Sequence, residues 1–189
     1  MVGAVCGWYG KLPAVGDFAS RRVPPAVLAR CDSWLSTGLS ASQRVLGSEW
    51  LALYLTSPIW RFAWGPGTVD DAAWLGVLMP SVDRVGRYFP LLLLVARPAH
   101  GEVASLPDAN AVDWLDRLAD TAQDCLQPGA SLERFEAALA ADPSPPADAT
   151  VWSAAAPGQS LWWHDGRPPH HWTGLPSGTA FTALLQGDD

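Results

Sequence analysis

Charge is in short supply in this sequence. Asp, Glu, Lys and Arg together make up 16% of the 189 residues. Positive charge is the scarcer sign, with 12 Lys and Arg against 19 Asp and Glu and a formal net charge of -7. No Lys/Arg-rich run occurs anywhere. Nucleic-acid binders draw much of their affinity from neutralising phosphates and show a basic face for it, so DNA and RNA are poor first candidates as partners. Long apolar runs are missing too. None approaches the ~20 residues that a membrane-crossing helix needs, and "MVGAVCGWYGKLPAVGDF" lacks the basic start and long apolar stretch of a secretory signal. No membrane insertion is expected. Cysteine is limited to Cys6, Cys31 and Cys125, which are odd in number and widely spaced, with no CxxC pair. That usage fits a reducing compartment, so the expected location is the cytoplasm.

Several catalytic signatures are absent as well. Gly10-Lys11 invites a phosphate-loop reading, but that motif needs a glycine five positions before Gly10 and Ser or Thr after the lysine. Val5 and Leu12 stand there, so Gly10, Pro13 and Gly16 read as turn-formers instead. No G-x-S-x-G elbow marks a serine hydrolase. Cys31 and Cys125 fall on apolar helix faces, where a thiol is packing material more often than a nucleophile. His164, Asp165, His170 and His171 lie close in sequence without a recognised metal-ligand spacing, and adjacent His170 and His171 would face opposite ways if extended. A metal-dependent hydrolase built on this region is the alternative from another functional class. A nucleotide or small-ligand sensor near Lys11 and Arg87 is a third. No cofactor is expected.

What the chain does have is 49% hydrophobic residues and 11 tryptophans. Its length suits one domain spanning residues 1–189. Large aromatics beyond what a core can hold are expected to form partner-facing patches. Val2 to Tyr9 reads as an opening strand. Pro24 and Pro25 suit a helix start, and Val27, Leu28, Cys31, Trp34, Leu35 and Leu39 then recur at helical spacing. Gly47 is expected to stop that helix and Ser48 to cap a short second one through Leu53. "IWRFAWG", Trp74 to Met79 and Pro90 to Val95 follow as strands whose short connections predict an antiparallel meander. Asp108 can cap a helix with Val112, Leu115, Leu118, Ala119, Ala122 and Leu126 on one face. Ser131 opens another, with Leu132, Phe135 and Leu139 inward. After the Pro-rich "ADPSPPADAT", "TVWSAAA" and "SLWWHDG" read as a hairpin, with "DGRPPHH" as a turn. "GTAFTALLQ" closes the chain as helix or strand. Helices interspersed with strand groups predict an α/β sandwich around a mixed sheet.

The segment "PSVDRVGRYFPLLLLVARP" sets Asp83, Arg84 and Arg87 beside the most apolar run of the chain. Asp83 can bond nearby backbone N–H groups, Gly86 permits unusual torsions, and an Asp83–Arg87 ion pair could pin the loop, with Asp17 near in space. A structural pin and a partner-facing surface are the two readings, and they are compatible. Paired Asp70 and Asp71 fall in a turn, where Asp serves local backbone bonds.

Three segments, "GWYGKLPAVGDFASRRVP", "WLALYLTSPIWRFAWGPG" and "GVLMPSVDRVGRYFPL", resemble the TagF (ImpM) proteins of type VI secretion systems. The elements "GKLPxxGDF" and "PSxDxVGRxFP" are each fairly specific, and they follow in order about seventy residues apart, from Lys11 to Ser81. The likeness is strong over roughly the first half and returns faintly at "SLWW". It implies a three-layer αβα sandwich with a largely antiparallel sheet, a longin- or profilin-like α+β arrangement being the alternative. It further implies a cytoplasmic, non-enzymatic accessory protein that restrains secretion after translation. Such a protein would bind and sequester the forkhead-associated scaffold, beside a kinase and phosphatase pathway. The resemblance carries no catalytic residue. The candidate partner-binding residues are Lys11, Asp17, Phe18, Asp83, Arg84 and Arg87.

Overall fold

The structure, a computed structural model, describes residues 5–97, 109–142, 156–165 and 167–187. Seven strands form one sheet: β1 (Gly7–Gly10), β2 (Ala19–Arg21), β3 (Trp60–Trp64), β4 (Ala73–Met79), β5 (Leu91–Arg97), β6 (Gln159–Trp163) and β7 (His170–Thr173). Their spatial order is β2-β1-β5-β4-β3-β6-β7, and every pairing is antiparallel. The expected meander is present as β3-β4-β5, whereas the expected mixture of parallel and antiparallel pairs is not found among the described residues. The helices are α1 (Pro25–Leu46), α2 (Trp50–Leu55), α3 (Ala109–Asp124), α4 (Leu132–Ala141) and α5 (Thr179–Gln186).

Strand side chains alternate between two faces, and here each face has its own core. Leu75, Val77 and Met79 of β4 join Leu91, Leu93 and Val95 of β5 beneath Trp114, Leu115 and Leu118 of α3 and Phe135 and Leu139 of α4. On the other face, Trp74 and Leu78 join Leu92 and Leu94 beneath Val27, Cys31 and Leu35 of α1, Tyr54 of α2 and Phe181 and Leu184 of α5. Burial on both faces explains the apolar run at the start of β5, since Leu91 to Val95 are all buried. The result is the three-layer αβα sandwich. Partly buried polar links tie the sheet to the α3 and α4 layer. Trp8 of β1 donates to Glu136 of α4 at 2.6 Å, and Arg61 of β3 donates to Asp116 of α3 at 2.9 Å.

Several local expectations hold and others shift. Pro25 does open α1, and Gly47 does end it with φ 53°. Ser48 caps nothing. It lies in a 3-10 turn over Gly47–Glu49, and α2 begins without a side-chain cap. Ser131 caps α4 by accepting from the Arg134 N–H. The buried face of α3 includes Ala111 and Trp114, with Val112 and Leu126 only partly covered. "SLWW" forms β6, but it pairs with β3 and with β7, so His170 and His171 belong to a strand and not to a turn. "GTAFTALLQ" is helical. Val2 to Ala4, Asp108, most of "ADPSPPADAT" and residues 150–155 of "TVWSAAA" lie outside the described residues.

The tryptophans overturn one expectation. Trp8, Trp50, Trp60, Trp64, Trp74, Trp114 and Trp162 are buried, and Trp34, Trp163 and Trp172 are partly so. The rings pack on one another, as Phe62 on Trp64 at 4.1 Å and Trp34 against Phe181 at 5.7 Å. They fill the core and do not form the surface patch. Among the described residues, the exposed large apolar side chains are instead Phe18, Val45, Leu51, Leu55, Val85 and Tyr88.

Gly76 sits mid-strand where an added Cβ would come within 1.9 Å of the Leu93 carbonyl and 2.6 Å of the Phe62 ring. We expect Gly76→Ala to destabilise the fold by at least the ~1–3 kcal/mol typical of overpacking. Urea unfolding of the variant against the parent measures this.

Candidate functional site

The site grows out of one end of the sheet. β1 runs into Gly10, whose φ of 140° and close approach to the Pro90 carbonyl leave no room for a Cβ. Lys11 therefore emerges beside the start of β5. On the far side of β5, β4 ends at Met79 and hands over to residues 80–90. This connection is fastened twice. Ser81 donates from its hydroxyl to the Lys11 carbonyl at 2.7 Å, and the Tyr54 hydroxyl of α2 both accepts from the Ser81 N–H and donates to its carbonyl, each at 2.9 Å. Val82 then bridges Tyr88, and the chain turns tightly between them.

Asp83 organises that turn. Its backbone N–H donates to the Arg87 carbonyl at 3.1 Å and its carbonyl accepts from Gly86 at 3.0 Å, with Gly86 in the left-handed region at φ 84°. One carboxylate oxygen, Oδ1, accepts from the Val85 and Arg87 N–H groups at 3.0 and 2.9 Å. The other, Oδ2, accepts from Lys11 Nζ and from Arg87 Nε, both at 2.7 Å. The Asp83 side chain is fully buried and that of Lys11 is 4% exposed. Burial alone would raise the carboxyl pKa. The Lys11 ammonium, the Arg87 N–H and guanidinium and the Val85 N–H outweigh it and hold Asp83 well below the usual carboxylate range.

The second segment, residues 11–18, closes over this pair. Arg87 donates from its Nη2 to the Gly16 carbonyl at 2.7 Å and lies 3.6 Å from the Asp17 carboxylate. Arg84 donates its backbone N–H to Val15. The Phe18 ring covers Lys11 Nζ at 4.5 Å, a cation–π contact, and meets Phe89 edge-on at 4.8 Å. All six candidates thus meet at one place, although Lys11 and Asp83 are far apart in sequence. They divide into two kinds. Lys11 and Asp83 are buried, so the expectation that they touch a partner is corrected: they position the loop. Asp17, Phe18, Arg84 and Arg87 face outward.

Sequence reasoning missed four participants. Val85 is 65% exposed and Tyr88 38%, and both flank the arginines it had singled out. Ser81 and Tyr54 are buried and hold the loop from below. The "PS" before Asp83 hinted at Ser81. Tyr54 had no local signal, because its contact crosses from α2.

The remaining candidates go to other uses. Asp165 pairs with Arg61 at 2.8 Å. His164 and His170 each pack edge-on against Trp60, at 4.5 and 5.8 Å, while His171 is exposed on β7. Burial lowers the His164 pKa. Among the described residues no three His, Cys, Asp or Glu side chains converge as a metal site would require. Cys6, Cys31 and Cys125 are all buried, and burial pushes each thiol up to about 12, so they stay protonated. Asp70 accepts from the Ala72 N–H and from Trp74 Nε1. A groove of about 630 Å³ lies between α1 and residues 174–178, and a cavity of about 300 Å³ between α3 and α4; neither is lined by Lys11 or Arg87.

The chain contains one lysine, Lys11, which makes the buried pair easy to probe. We expect an amine-reactive ester at neutral pH to leave Lys11 unlabelled in the folded protein and to modify it in Asp83→Asn, read by peptide mass spectrometry. The pair also has a pH signature. Because the folded-state pKa of Asp83 is depressed, its stabilisation is complete above the ordinary Asp value of about 3.9 and fades as pH falls below it. Thermal melts between pH 6 and pH 3 should therefore show a larger acid loss for the parent than for Asp83→Asn.

Comparison with known proteins identifies relatives of this chain. Residues 7–141 match the TagF N-terminal domain, described as type VI secretion system-associated. No curated protein matches the chain significantly. Among solved structures, the chain is similar to the crystal structure of PA0076 from Pseudomonas aeruginosa PAO1, with 36% identity and a TM-score of 0.82. That alignment covers 97% of this chain and 95% of the other. The chain accordingly belongs to the TagF family of type VI secretion system-associated proteins.

Proposed function

We propose that this protein is a cytoplasmic regulator of a type VI secretion system that works by non-covalent contact and catalyses no reaction. Its partner is the forkhead-associated scaffold of the machine, which it binds and withholds from assembly, acting alongside the kinase and phosphatase pathway. Family membership supports the link to secretion. The observation that carries the mode of action is the state of the titratable groups at the loop. Lys11 and Asp83 neutralise each other under cover, and both carboxylate oxygens of Asp83 are occupied. A general acid or base must exchange protons with a substrate near working pH, whereas this carboxyl is held ionised and spent on backbone and side-chain donors. Such a pair suits a loop held in one shape, and a surface rigid before binding loses less conformational entropy on docking.

This reading predicts two results in cells that carry the secretion genes. Overproduction of the chain should reduce secretion, measured as effector in the medium. The tagged protein should co-purify with the scaffold at near-stoichiometric yield. Unchanged secretion together with no recovered scaffold would contradict the reading.

A further inference from the structure

We infer that the outward face of this loop, built from Phe18, Arg84, Val85, Arg87 and Tyr88, is the contact surface and that it docks an acidic, apolar-edged patch on a partner protein. The inference rests on the regulatory reading above and adds to it the surface and the chemistry recognised there. Composition is the first argument. Arginine and aromatic side chains are enriched at the energetic centres of protein interfaces and lysine is depleted. This face combines two arginines with Phe18, Val85 and Tyr88, exposed by 47%, 65% and 38%, and the one lysine is sealed beneath it. The Tyr88 ring packs edge-on against the buried Tyr54 of α2 at 5.8 Å, which seats it on the fold.

Charge supplies the second argument and selects the occupant. The chain carries a net charge of -7, yet here two guanidiniums stand outward. Arg87 is paired from below by Asp83 at 2.7 Å and lies 3.6 Å from Asp17, so the unspent positive charge is that of Arg84. The Arg84 guanidinium has no ion pair or hydrogen bond among the described residues, and it lies beside Gly16, where an added Cβ would come 3.2 Å from its Nη2. A planar guanidinium held beside apolar side chains is matched by a carboxylate in bidentate contact. On an acidic molecule, a local cationic tip also orients approach towards an acidic partner. Two arginines are few for the many phosphates of a nucleic-acid backbone, whereas they match a local acidic patch.

Rigidity is the third argument. The tip cannot collapse on itself, because Asp83 fixes the turn from inside and Ser81 and Tyr54 fix its base. Lys11 and Asp83 are therefore positioning residues for a contact that they do not make.

The test is calorimetric titration of the full chain into the purified forkhead-associated scaffold of the same secretion system. Arg84→Glu, Arg84→Lys and Val85→Asp are compared with Arg30→Glu, which alters the α1 groove instead. All three positions are exposed, and a thermal melt of each variant confirms folding. We expect Arg84→Glu and Val85→Asp each to weaken binding about tenfold or more, Arg84→Lys to retain part of the affinity, and Arg30→Glu to match the parent. Parent affinity should fall with added salt more steeply than that of Arg84→Glu. If the parent binds and both loop variants bind equally well, the surface assignment is wrong while the regulatory reading stands. If the parent itself does not bind the scaffold, the regulatory reading fails and this inference falls with it.

Discussion

A carboxylate removed from water survives as an ion only when opposite charge and hydrogen-bond donors replace its hydration. Asp83 meets that demand with Lys11, Arg87 and two backbone N–H groups. The requirement is strict, because losing any partner leaves part of a buried charge uncompensated. Its consequence is that three pieces of chain must keep fixed relative positions: the end of β1, the 83–87 turn, and the segment from Gly16 to Phe18. The sheet makes this affordable, since β1 and β4 both pair with β5 and deliver Lys11 and residues 80–90 to the same end.

The rest of the molecule reads as the support for that end. Large rings crowd the sheet face beneath α1, α2 and α5, where Trp60, Phe62, Trp64 and Trp162 stand on neighbouring strands. Dense packing of this kind transmits position with little give. α2 is short, yet it is held by Trp50 and Tyr54 in that core, and Tyr54 extends the rigidity to Ser81. Family membership ties the protein to type VI secretion, and the loop is the surface we propose for its contact with another component.

Much of this was legible from residue order. Helix α1 announced itself through Pro24, Pro25 and its apolar period, and the meander through short connections between apolar runs. The turn was legible because Asp83 can bond nearby backbone N–H groups and Gly86 permits the left-handed torsion of a tight loop. What escaped had non-local causes. β2 is three residues of middling propensity, and the Arg22 bonds to the Cys6 carbonyl and to Glu136 that flank its pairing come from distant segments. β7 contains two histidines and follows two prolines, so nothing local marked it as a strand. The pairings of β1 with β5 and of β3 with β6 connect distant segments. The tryptophans were misjudged because a count says nothing of how rings nest across strands, and here they nest inside.

A protein that presents a pre-shaped loop to another polypeptide, as we propose, records it in its backbone amides. Hydrogen–deuterium exchange on the protein alone and in complex with its secretion partner tests that most directly. The amides of residues 81–89 should already exchange slowly in the free protein, and protection should deepen there and at residues 13–18 on binding. Rapid exchange through the turn in the free protein, or protection confined to the groove beside α1, would contradict it.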